Sequence, residues 1–488
     1  MMKNSVVKQT LLLVVALVWT LTAAAKVTLH PIFGDNMVLQ RECQVRIWGE
    51  ADANSKVVLK ASWEKKSASH TAFSDADGRW SMMVPTPQAG GPYEVRVSCG
   101  SDVVIIENVL IGEVWLCSGQ SNMEMPVKGF NNQMVEKSAE TIMGAKERLP
   151  IRMCTLKHFT AKTPQYACRT NGWLTNTPES VASTSATAYF FAKHLQEVLE
   201  VPVGVIITAW GGTMVESWLS SGRLAEFEGV DLSHLNNNDK EERPQDKPAM
   251  IYNGMIAPLE PFTIKGFLWY QGESNRHNPE QYRFMMKSFV EQLREGWGIA
   301  DLPFFYVQVA PYKYDGPDMF SGAMIREAQM HNLKDIPNSG MVVTMDIGDA
   351  WCIHPAKKSE VGQRLAWLAL TDTYGHKHIY SHSPIYESVR FSGGKAYVSF
   401  DVEGLCLGPY GHNVEGFEIA GEDRVFYPAK ASTQRAKNSV MVHAPEVPNP
   451  VAVRYCFKNV AEATVFNNFG LPVSPFRTDN WPIAPLAK

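Results

Sequence analysis

The sequence predicts an α/β protein: a mostly parallel sheet covered by helices on both faces, flanked by two β-rich regions. Three observations carry that prediction. Between about residues 109 and 380, short apolar runs with the character of buried strands alternate with stretches of helical period. Before and after that span, alternation at period two marks exposed-and-buried strands. The composition, 45% hydrophobic and 20% charged, belongs to a chain that builds large cores. At roughly 150 residues per domain, a chain of 488 residues suggests two to four domains. With 46 Lys+Arg against 50 Asp+Glu, the net charge is −4 and no run of either sign makes a field for a polyanion. Nucleic acid is excluded as an expected partner.

Residues 1–25 read as a secretory signal peptide. Lys3 and Lys8 give a basic start, Leu11 to Leu21 is an apolar core, and Ala23 to Ala25 supply small residues for cleavage. The apolar run is too short for a spanning helix, which needs about 20 such residues. The expected location is therefore periplasmic or extracellular, with no membrane span. Eight cysteines (Cys43, Cys99, Cys117, Cys154, Cys168, Cys352, Cys406 and Cys456) enter that oxidising setting singly, without metal-site spacing. They read as small buried apolar residues, with Cys154 and Cys168 the one close pair. No metal or cofactor is called for.

Residues 26–108 predict an N-terminal β-sandwich domain. The runs VRIWGE, KVVLKASW and YEVRVSC are β-prone, and the turn at Ser74–Gly78 together with Pro85, Pro87, Gly90 and Gly91 divides them. Residues 109–380 predict the catalytic domain. Its strand candidates are VLIGEVWLC, VGVIITAW, IKGFLWYQ, PFFYVQVA and GMVVTMDI. Its helix candidates are Ser183 to Glu200, a segment following Pro279, and one beginning near Ser359, each with an apolar stripe at three- and four-residue spacing. In such a sheet the reactive groups belong at the carboxyl ends of the strands. Residues 381–488 predict a C-terminal β-rich region, and the polar stretch Asn236 to Pro248 a surface loop.

The chemistry is sought at the strand exits. GEVWLCSGQSNMEMP, Gly112 to Pro126, takes an apolar strand into a tight polar turn, where a serine hydroxyl can project beside backbone N–H groups able to receive an oxyanion. Ser121 is the candidate nucleophile; the plain alternative is that Ser118 or Ser121 caps a helix. A base is then required, and His354 stands at a second strand exit, in DIGDAWCIHPAKKSEVGQRLA. The acid that would fix its tautomer is sought nearby, with Asp349 preferred and Asp346 the alternative. Gly211-Gly212-Thr213 and Gln271 to Asn275 supply candidate oxyanion donors. Glu273, paired with Glu216 or Glu124, would instead suit a glycosidase.

Four ordered blocks, GQSNM (Gly119 to Met123), GGT (Gly211 to Thr213), WYQGESN (Trp269 to Asn275) and IHP with KxxVGxRLA (Ile353 to Ala366), resemble the sialate O-acetylesterase family. MVLQR at Met37, GGPYEV at Gly90 and GLPVSPFRTDNW at Gly470 extend the likeness over most of the chain. The resemblance implies a three-layer α/β/α domain of the SGNH-hydrolase type. It also implies Ser121 as nucleophile, His354 as base, and an oxyanion hole at Ser121, Gly212 and Gln271. The expected activity is metal-free removal of O-acetyl groups from sialic acid or a related acetylated glycan, acetylxylan included. The rival expectations are the glycosidase and a non-catalytic carbohydrate-binding protein. One departure stands out: family members commonly carry aspartate two residues before the histidine, where this chain has Cys352.

Overall fold

The computed structural model describes residues 26–483 except 238, 412 and 435–437. The expected signal peptide, residues 1–25, lies outside the described residues. The N-terminal strands are β1 (Val27–Leu29), β2 (Val38–Gln40), β3 (Gln44–Ala51), β4 (Lys56–Ala61), β5 (His70–Phe73), β6 (Arg79–Pro85) and β7 (Gly90–Cys99). Six of them form an antiparallel sheet β1-β3-β6 and an antiparallel set β5-β4-β7, while β2 pairs in parallel with residues 110–112 of the strand that follows. In β6 the alternation of period two is complete, with Trp80, Met82 and Val84 buried and their neighbours exposed.

The next strand, β8 (Asp102–Gly119), is 18 residues long. Its first half pairs antiparallel with β7. Its second half is the centre of the main sheet, pairing in parallel with β11 (Val203–Ala209) and β12 (Gly266–Tyr270). β9 (Ile151–Leu156) and β10 (Thr170–Leu174) extend the sheet on one side, β13 (Phe304–Val307) and β14 (Ser339–Val342) on the other, in the order β10-β9-β11-β8-β12-β13-β14. All of these pairs are parallel except β10 with β9. The protein is thus a mixed α/β molecule with one large mixed sheet.

Alternation along β8 sorts the core into two clusters. Trp115 and Cys117 face the helices Ala186–Leu199 and Lys358–Leu368 through Phe191, Leu195, Val361 and Leu365. Leu116 belongs with Tyr282, Met285 and Phe289 of helix Pro279–Trp297 and with Ile325 of helix Ser321–Asp335. Aromatic pairs fasten both sides, with Trp115 to Phe191 at 5.1 Å and Trp269 to Phe289 at 4.6 Å between ring centroids. The three predicted helices are present. The first is capped by Ser185, whose side chain accepts from the Ala188 N–H, and the second ends at Gly298 with φ of +65°.

After residue 380 the described residues build two four-stranded antiparallel sheets and a two-stranded one. Arg477 holds this region to helix Ser321–Asp335 through a two-pronged ion pair with Glu327, at 2.7 and 2.9 Å. All eight cysteines are free, and five of them are buried.

Candidate active site

Ser121 owes its place to a glycine. β8 ends at Gly119, where φ is +141° and a Cβ would lie 2.2 Å from the Tyr270 carbonyl oxygen. The Gln120 N–H donates to that same carbonyl at 3.0 Å, which stitches the exits of β8 and β12 together. The chain then turns directly into a short helix, Ser121–Glu124, whose first N–H groups have no partner within the helix.

His354 lies in the loop between β14 and helix Lys358–Leu368. Its Nε2 is 2.7 Å from Ser121 Oγ, a meeting of residues 233 positions apart. On the far side of the ring, Nδ1 is 2.5 Å from Gln133 Oε1. Phe130 stands edge-on to the imidazole, 5.4 Å between centroids. Burial pushes His354 down to about 4; the Lys358 ammonium adds to this and the Glu124 carboxylate opposes it. The ring is therefore neutral at pH 7 and free to accept a proton.

Asn122 ties the blocks together from beneath. It is fully buried. Its Nδ2 donates to Glu273 Oε1 at 2.6 Å and to the Ile353 carbonyl at 3.1 Å, while its Oδ1 accepts from Lys358 Nζ at 2.5 Å. Burial lowers Lys358 to about 7, against the pull of Glu273, and burial raises Glu273. One amide thus fastens the nucleophile turn, the β12 exit and the backbone next to His354.

The opposite rim is the exit of β11. A Cβ on Gly211 would lie 3.2 Å from Ser121 Cβ, so this turn abuts the nucleophile. The Gly211 N–H is spent on Glu124 Oε2 at 2.6 Å. Gly212 is exposed, with φ of +76°, and its N–H makes no hydrogen bond among the described residues. Beside it Trp210 stacks on His158, 4.1 Å between centroids, and His158 Nε2 is 3.1 Å from Glu124 Oε1. A hydroxyl, a neutral imidazole and unspent backbone N–H groups on one rim are the parts that acyl transfer needs.

Residues 111–371, from the centre of β8 to the end of the last core helix, match the family described as carbohydrate esterase, sialic acid-specific acetylesterase. The chain belongs to this family. It is 31% identical to the sialate O-acetylesterase of Homo sapiens over 402 residues, 74% of this chain and 74% of that protein. Against the sialate O-acetylesterase of Mus musculus it is 28% identical over 428 residues, 75% and 77% of the two chains. Among solved structures, a carbohydrate acetylesterase from Xanthomonas citri superposes with a TM-score of 0.85 at 33% identity, covering 93% of this chain and all of that one.

Within this acetylesterase family site, three expectations need correction. Asp349 does not reach His354. Its Oδ1 accepts from the N–H groups of Trp351 and Cys352, at 2.7 and 3.1 Å, so the carboxylate closes its own loop. Asp346, the alternative, is taken by Arg364 in a two-pronged pair. Gln271 is not free to hold an oxyanion. It is fully buried, and its Nε2 donates to the Thr213 carbonyl at 3.0 Å and to Asn275 Oδ1 at 2.7 Å. Both amide hydrogens are therefore used in bracing the turn that carries Gly212.

Glu273 is unsuited to glycosidic chemistry. Its carboxyl is enclosed and bonded to Asn122, while Glu216 is held by Asn275 and Glu124 by Gly211. Gln133 and Lys358 are the residues sequence reasoning missed. Gln133 sits in a polar loop, NNQ, with no periodicity to mark it; Lys358 figures only as the first residue of KxxVGxRLA, with no role.

Proposed function

We propose that this protein is a serine esterase that removes O-acetyl groups from sialic acid or a related acetylated glycan through an acetyl-enzyme intermediate. The reading is carried by the 2.7 Å approach of His354 Nε2, from the loop after β14, to Ser121 Oγ at the exit of β8. In the first step Nε2 takes the Ser121 hydroxyl proton as Oγ bonds to the acetyl carbonyl carbon. The Ser121 and Gly212 N–H groups receive the negative oxygen; as the bond from the carbonyl carbon to the sugar oxygen breaks, the imidazolium gives its proton to that oxygen, which leaves as the sugar hydroxyl. Water, activated by the same histidine, releases acetate and restores Oγ–H.

Membership of an acetylesterase family and the kinship to sialate O-acetylesterases support the reaction and the acetylated sugar class. The three-layer SGNH arrangement is supported by helices packed on both faces of the parallel sheet. A β-rich region at 381–488 beside a catalytic domain at 109–380 is supported by its separate sheets, and a β-sandwich domain at 26–108 by the sheet β1-β3-β6, although the boundary at 108 falls within β8, which runs from the N-terminal strands into the large sheet. An exported location is supported by the basic, apolar and small-residue pattern of residues 1–25.

The test is acetate release from an aryl acetate and from O-acetylated sialic acid. Ser121→Ala and His354→Ala are expected to lower kcat by a factor on the order of 10⁴ or more. Retention of wild-type turnover by Ser121→Ala would refute the assignment.

A further inference from the structure

We propose that Gln133 is the positioning residue that sets the tautomer of His354, in the place where serine hydrolases use a carboxylate. The inference rests on the Ser121–His354 reading and deepens it. For Nε2 to take a proton from Ser121 it must carry its lone pair there, so the ring hydrogen must sit on Nδ1. Nδ1 then needs an acceptor. The carboxylates expected to serve are both engaged elsewhere, Asp349 with its own loop and Asp346 with Arg364. Cys352, at the position where aspartate is common in the family, points its Sγ at the His354 backbone carbonyl, 3.2 Å away, rather than at the ring. Gln133 Oε1 occupies the acceptor position at 2.5 Å.

The loop that carries Gln133 is built around the histidine. Gly129, with φ of +81°, passes so close to the Gln133 carbonyl that a Cβ would lie 2.3 Å from it. The Gln133 N–H donates to the Phe130 carbonyl at 3.1 Å, and Phe130 packs its edge against the imidazole. Three residues on, the Glu136 N–H donates to the Ala356 carbonyl at 2.9 Å, so this one loop holds the His354 segment at two points, residues 354 and 356. The amide oxygen has to be the group facing Nδ1. An amide N–H there would donate, move the ring hydrogen to Nε2 and leave Ser121 without a base.

A neutral acceptor differs from a carboxylate in one measurable respect. It fixes the tautomer but gives little Coulombic support to the imidazolium formed as Ser121 loses its proton. The groups that face the ring are otherwise Ser121, the Phe130 edge and, by charge alone, the Lys358 ammonium and the Glu124 carboxylate. Replacing the amide by a carboxylate of the same shape therefore changes the proton affinity of His354, whereas a loop-bracing role would not.

The experiment is the pH profile of kcat/KM for an aryl acetate with wild type, Gln133→Glu and Gln133→Leu, beside Ser121→Ala and His354→Ala. The acid limb of Gln133→Glu is expected to move up by about 1 to 3 pH units. Gln133→Leu is expected to lose on the order of 10²-fold in kcat with KM within about twofold. An acid limb that stays put in Gln133→Glu overturns the assignment, whether or not Gln133→Leu is slowed or poorly folded. Full turnover in Ser121→Ala or His354→Ala would mark the failure of the underlying serine mechanism instead.

Discussion

At the scale of single residues the histidine is tuned by what lies beneath it. His354 is held down to about 4 by burial and by Lys358. Only the neutral ring accepts a proton, so kcat/KM is expected to be flat above about pH 5 and to fall as pH drops through about 4. Lys358→Met removes the like charge, which favours the imidazolium; its acid limb should therefore lie at higher pH than that of wild type, a comparison made by the same pH titration. Ser121 and His354 were legible in the sequence because each sits where an apolar strand meets a polar turn. The partner of Nδ1 was not. Proximity in the chain favoured Asp349, yet an aspartate two or three residues before free N–H groups closes its own turn first, and the acceptor came from a loop 221 positions away. Gln271 misled for a related reason: an amide at a strand exit reads as a donor to substrate, and only the fold reveals that its hydrogens are spent.

At the scale of elements, the strand exits are packed backbone to backbone, and glycine makes this possible. Gly119→Ala places a Cβ 2.2 Å from the Tyr270 carbonyl at a φ few side chains adopt. The substitution is expected to destabilise by about 2 to 4 kcal/mol, read from chemical denaturation, and to lower activity through the displaced Ser121 turn. Helices Ala186–Leu199 and Pro279–Trp297 were legible because their buried positions are apolar and regularly spaced. Helix Ser321–Asp335 was not. It buries Arg326, Gln329 and Asn332 on its inner face, so no apolar stripe marks it. β9 and β10 were hidden because Arg152 and Thr155 interrupt the apolar run of β9, IRMCTL, and β10, TNGWL, joins it antiparallel at the sheet edge.

At the scale of the molecule, the flanking β-rich regions were legible from their alternation, while their attachment to the core was not. The N-terminal region is joined through β8 itself, and polar pairs between distant elements help fasten the C-terminal one. Arg477 and Glu327, both mostly buried, form one such clasp, 150 positions apart. Arg477→Ala leaves the Glu327 carboxylate without its partner. It is expected to cost about 3 to 5 kcal/mol, seen as a lower denaturation midpoint, and to leave the kcat of the folded fraction near that of wild type.

The unbroken run of β8 has a further consequence. The serine is mounted at the tip of a beam whose root lies in another layer of strands. Shortening the gene at codon 108 to obtain a minimal catalyst would saw through that beam and strip Val109 to Gly112 of their partners in β7 and β2, leaving only the stub that pairs with β11 and β12. Exchange of the leading module between relatives therefore has to carry the whole of β8 with it, tip included.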